Sequence, residues 1–100
     1  MSLMQIVIGG LVYKAKETLT VTNASVGFTG ATIGRNDQAL ITCEVASVRF
    51  WLNGDAPTAT VGHILEPGDT LLIQNRGTLH SVRFFRKDGT DATLQVSFGV

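Results

Sequence analysis

Apolar and polar residues alternate along much of this chain, the period-2 signature of strands with one buried and one exposed face. Leu94, Val96 and Phe98 alternate with Thr93, Gln95 and Ser97, and Val48, Phe50 and Leu52 alternate with Arg49, Trp51 and Asn53. Shorter segments of the same kind run from Gln5 to Leu11, Thr18 to Thr22, Val26 to Thr32, Ala39 to Val45, Ala59 to Val61, Thr70 to Ile73 and Val82 to Phe85. No long window carries apolar residues at helical spacing, so strands are expected throughout. Turn chemistry punctuates them at Gly9-Gly10, Gly34 to Asp37, Asn53-Gly54-Asp55, Pro67-Gly68-Asp69, Asn75-Arg76-Gly77 and Lys87-Asp88-Gly89. Asn53-Gly54 and Asp88-Gly89 are the sharpest, because such pairs tolerate the positive φ of tight hairpins. This rhythm predicts an all-β fold, a compact antiparallel β-sandwich, jelly-roll-like, of about eight to nine short strands.

Composition agrees. Thr, Val and Ile supply 28 of the 100 residues, types that fit a pleated, half-buried surface. A chain of this length buries roughly 60–70% of its unfolded surface, enough for one domain with a real core. With 44% hydrophobic and 16% charged residues the chain is expected to be globular rather than disordered, and no apolar run is long enough to span a bilayer. Eight basic residues balance eight acidic ones, so the footprint that phosphate neutralisation requires is missing and nucleic acid is not an expected partner. Met1-Ser2-Leu3 ahead of Met4 reads as an expression-vector leader, leaving residues 4–100 as the domain. No secretory signal is visible, which places synthesis in the cytoplasm.

Candidate chemistry is sparse. Cys43, the single cysteine, lies in an apolar run and is expected to pack as a small hydrophobe. Most aspartates sit in turns beside glycine, where they cap their own backbone, and none forms the alternating acidic loop of a calcium site. Gly9-Gly10 lacks the spacing of a phosphate loop. The run Gly68-Asp69, Ile73, Gly77 and His80 resembles the second motif of cupins, which delivers one metal-binding histidine, and His63 and Glu66 would then supply the other ligands. The H-x-H pair and the motif's proline are absent, so a cupin-like metal enzyme is kept only as a remote alternative. Catalytic residues, metals and cofactors are not expected.

Trp51 stands out, because the alternation that buries Phe50 turns it to the face carrying Arg49. It reads as core of a second layer, as a subunit contact, or as a platform for a ligand such as a sugar, with Asn53 nearby. Phe85 and Arg83 occupy similar places in a second segment: Val48 to Thr58 and Val82 to Thr93 share the order strand, glycine turn, small residue and threonine. This suggests two equivalent hairpins in opposing sheets. Arg49, Trp51, Asn53, Arg83 and Phe85 are therefore the candidate interface or ligand surface, since aromatics and Arg are enriched in subunit contacts.

From Gly54 to Asp69 the chain reads G-x-x-P-T-A-T-x-G-x-x-L-x-x-G-D, carried by Gly54, Pro57, Thr58, Ala59, Thr60, Gly62, Leu65, Gly68 and Asp69, and it closes as A-x-L-x-V-x-F over residues 92–98. This resembles small proteins encoded among phage and prophage structural genes, over about the C-terminal half. The resemblance implies a β-sandwich virion component of head or tail that acts through contacts with itself or other virion proteins. The motif residues read as structural, with Gly54, Gly62, Gly89 and Gly68-Asp69 shaping turns and Pro57 leading into an edge strand. A small ligand- or carbohydrate-binding β-module is the alternative.

Overall fold

The computed structural model describes residues 12–100, which form two antiparallel sheets packed face to face. Seven strands and two short helices follow one another: β1 (Tyr13–Val21), α1 (Gly30–Ile33), β2 (Gln38–Glu44), β3 (Val48–Trp51), β4 (His63–Leu65), β5 (Thr70–Ile73), α2 (Arg76–Ser81), β6 (Arg83–Arg86) and β7 (Ala92–Gly99). The larger sheet has the order β1-β7-β2-β5 and the smaller one β4-β3-β6. The all-β sandwich expected from the alternation is the observed architecture. The segment Gln5 to Leu11 and the leader lie outside the described residues.

The core lies where the alternating inner faces meet. Leu19, Val21, Ala39, Ile41, Cys43, Ile73, Ala92, Leu94, Val96 and Phe98 come from the larger sheet, and Val48, Phe50, Leu65 and Phe84 from the smaller. Phe84 is fully buried at the centre, its ring centroid 5.4 Å from Phe28 and 6.1 Å from Phe50, while Phe28 meets Phe98 edge-on at 5.3 Å. Such tilted and edge-on pairs add to the burial of aromatic area. Ile33 of α1 and Leu79 of α2 are also fully buried within this core.

Three expected elements are corrected. Val26 to Thr32 is not a strand: Val26 makes an isolated bridge to Phe84, and α1 begins at Gly30. Ala59 to Val61 is loop, and the strand falls instead on His63–Leu65. The turn at Asn75-Arg76-Gly77 opens α2, capped by the Asn75 side chain, which accepts from the Thr78 amide at 3.1 Å. A six-residue helix burying one side chain leaves no periodic signal to read.

The two similar segments are not matching hairpins. Their first strands, β3 and β6, pair directly in the same sheet, with Arg49 opposite Phe85 and Trp51 opposite Arg83. After β6 the chain crosses to the larger sheet, where β7 lies between β1 and β2. Gly89, in that crossing, keeps a conformation outside the left-handed region, unlike Gly54 at φ 93°. The tight hairpin expected at Asn53-Gly54 is likewise absent, because eleven residues separate β3 from β4, and Gly54 takes its positive φ inside a local turn in which the Asp55 amide donates to Asn53 Oδ1.

Candidate functional site

The register of the smaller sheet assembles the candidate surface. Arg49 on the central strand β3 has Ile64 of β4 on one side and Phe85 of β6 on the other, and one step along the sheet Trp51 lies opposite Arg83. Arg49, Trp51, Arg83 and Phe85 therefore share the outer face, each half-buried, with Ile64 45% exposed beside them. His63 follows on β4 and meets Trp51 edge-on at 5.1 Å. Val61 and Leu52, 53% and 41% exposed, lie in the adjoining loop. Ile64 and His63 had no strand signal of their own, because a three-residue strand is too short to show alternation.

Both arginines are engaged within the chain. Arg49 donates through Nε to the Ala59 carbonyl at 3.0 Å and through Nη1 to the Gly62 carbonyl at 2.8 Å. Arg83 donates through Nε to Ser25 Oγ and through Nη2 to the Ser25 carbonyl, both at 3.0 Å. A guanidinium presents its donors as a rigid fork, well suited to holding two acceptors of one loop. These arginines hold loops against the sheet, and the aromatic and aliphatic side chains make up the rest of the face.

The same bonds give the Gly54 to Asp69 pattern its physical content. The loop after β3 folds back on Arg49, Thr58 accepts from the Thr60 and Val61 amides, and Pro57 is buried in the loop rather than leading into an edge strand. Gly62 has φ 131°, and a Cβ there would stand 3.1 Å from the Pro57 Cβ and 3.2 Å from the Phe50 carbonyl. Asp69 closes the next turn, its amide donating to the Glu66 carbonyl and its carboxylate accepting from the Glu66 amide, each at 2.9 Å. Asn53 and Asp55 bond to each other, with the Asp55 amide on Asn53 Oδ1 and Asn53 Nδ2 on the Asp55 carboxylate, so their polar groups already have local partners.

The ligand set His63, Glu66 and His80 is not assembled. His63 is on β4, Glu66 in the turn after it and His80 on α2. Among the described residues no three His, Cys, Asp or Glu side chains come together as a metal site. Cys43 is buried, donating to the Ala46 carbonyl at 3.1 Å, and burial together with the nearby Asp69 and Glu44 charges pushes its thiol up to about 11. A thiol held protonated is a poor nucleophile.

On the opposite side of the molecule, the larger sheet exposes a polar face. A shallow groove of about 190 Å³ there is lined by Lys16, Thr18, Leu40, Thr42, Gln95 and Ser97, among others. Among the described residues no helix is long and apolar enough to cross a membrane. Comparison with protein-family models, with curated proteins and with solved structures finds no match to this chain.

Proposed function

We propose that this protein is a non-enzymatic structural or accessory component of a phage or prophage particle, of head or tail, acting by self-association or by contact with other virion proteins. The observation that carries the reading is the outer face of β4-β3-β6, where Ile64 and Phe85 flank Arg49 and Trp51 lies one step further along the same strand. A flat, half-exposed cluster of this kind suits the core of a protein contact. The phage context rests on the Gly54 to Asp69 resemblance.

The carbohydrate-binding alternative has less support. Its polar partners for a sugar on Trp51 would be Asn53 and Asp55, which are occupied with each other.

Trp51 is the single tryptophan and reports directly on the face. Raising the concentration of the protein, or adding a virion partner, is expected to blue-shift its emission and reduce quenching by acrylamide, and Phe85→Ala is expected to weaken both changes. Emission that stays constant while no partner or second copy binds would overturn the reading.

A further inference from the structure

A sandwich of two open sheets has four edge strands, and each exposed edge is a template for pairing with another chain unless it is blocked. Three of the four are managed here. The outer edge of β6 is covered by residues 22–26: Val26 exchanges both backbone hydrogen bonds with Phe84, and the Arg86 amide donates to the Thr22 carbonyl. Edge strand β1 carries Lys14 at a register irregularity and Lys16 two residues on. Edge strand β4 is three residues long and runs into Pro67.

Among the described residues, edge strand β5 has none of these devices. Its sequence is Thr70-Leu71-Leu72-Ile73, uncharged and free of proline. The Cys43 amide donates to the Asp69 carbonyl, so the hydrogen-bonded pairs with β2 are Cys43–Asp69, Ile41–Leu71 and Ala39–Ile73. The alternate residues, Thr70 and Leu72, turn their N–H and C=O groups to the free edge. Among the described residues no backbone group pairs with them there. Leu72 is 37% exposed, and the Thr70 hydroxyl is buried without a hydrogen-bond partner.

We infer that β5 is a docking edge for a second copy of this chain, which pairs with it antiparallel about a twofold axis and joins two four-stranded sheets into one of eight strands. The pairing is self-complementary. In the register with Leu71 on the axis, Thr70 of each copy exchanges two backbone hydrogen bonds with Leu72 of the other, so all four outward groups of each strand are satisfied. Leu71, which packs against the core at the sheet margin, meets its own counterpart and extends the apolar interior across the axis. Charge selects this edge for self-pairing: two copies of β5 bring no like charges together, whereas two copies of β1 would confront Lys14 and Lys16 with one another. The inference goes beyond the contact proposed above: β5 lies on the larger sheet, a surface separate from the Trp51 face, and either contact can fail without the other.

The test uses light scattering on the full chain with amide hydrogen exchange. Wild type is expected to run at twice the chain mass, with the Thr70 and Leu72 amides slowed by roughly tenfold or more relative to a monomeric variant. Leu72→Pro is expected to give a folded monomer, since the amide it removes faces the free edge and proline is tolerated on an edge strand. Leu72→Lys serves the same purpose should the proline variant fail to fold. Trp51→Ala is expected to leave the dimer intact. A dimer lost in Trp51→Ala and unaffected by Leu72→Lys would overturn the β5 assignment while leaving the Trp51 face as the contact. A wild-type monomer at high concentration would overturn it whether the two amides exchange fast or are protected by another part of the same chain.

Discussion

Arg49 reaches from the middle of the smaller sheet to the carbonyl of Gly62, 2.8 Å from its Nη1, and so fixes the far end of an eleven-residue connection to its own strand. Hydrogen bonds from a charged donor contribute about 1.5–3 kcal/mol each when buried, and less where water competes. Arg49 is half-buried, so Arg49→Met is expected to cost about 1–2 kcal/mol. Arg49→Lys is expected to recover only part of that loss, because an ammonium cannot reproduce the fork that spans Ala59 and Gly62. Thermal melts of the two variants check this, with equal midpoints for lysine and wild type as the contrary result.

Gly62 and Gly89 are expected to respond to alanine in opposite ways. At Gly62 the added Cβ meets Pro57, the Phe50 carbonyl and Arg49 at 3.1–3.3 Å in a backbone conformation unfavourable to L-residues, a cost of about 1–3 kcal/mol. A Cβ added at Gly89 would meet no other residue beyond its chain neighbours within 4 Å and φ is not left-handed, so alanine there is expected to be neutral or to stabilise by up to about 1 kcal/mol by restricting the unfolded chain. Urea titrations of both variants distinguish them.

Val45 is expected to be improved by glycine. It has φ 75°, is 69% exposed, and lies at the centre of a three-residue turn closed by the Ala46 amide on the Glu44 carbonyl at 2.9 Å. Left-handed backbone costs an L-residue about 1–2 kcal/mol, and a β-branched one is especially unsuited to it. Glycine gives back about 0.5–1 kcal/mol through its greater unfolded freedom, leaving a net gain of about 0.5–1 kcal/mol for Val45→Gly. A lower melting temperature for that variant would show that the valine side chain contributes more than its backbone costs.

Cys43 makes stability fall at alkaline pH. Its folded thiol is raised from an ordinary 9.0 to about 11, chiefly by burial, so the unfolded state loses its proton at lower pH than the folded state does. The contribution is fully present below about 9 and is lost as pH rises toward 11. Cys43→Ala is expected to flatten this part of the stability profile. In the native protein a thiol reagent at pH 8 is expected to label Cys43 at a rate set by unfolding or local opening, and denaturant is expected to accelerate labelling strongly.

The alternation of Ala92 to Phe98 and of Ala39 to Cys43 was sufficient to determine which side chains form the core, because a strand has only two faces and one of them must leave water. The same rule placed Arg49 and Trp51 together on the opposite face of β3. Pairing is a different matter. It depends on which strands meet, and 31 residues separate the end of β3 at Trp51 from the start of β6 at Arg83. Only the tertiary structure therefore decided that Phe85 lies beside Arg49, that Ile64 completes the face, and that both arginines clasp loops instead of facing a partner. It alone left β5 as an open edge, since a strand's sequence specifies what its side chains bury but not whether another strand takes up its outward hydrogen bonds.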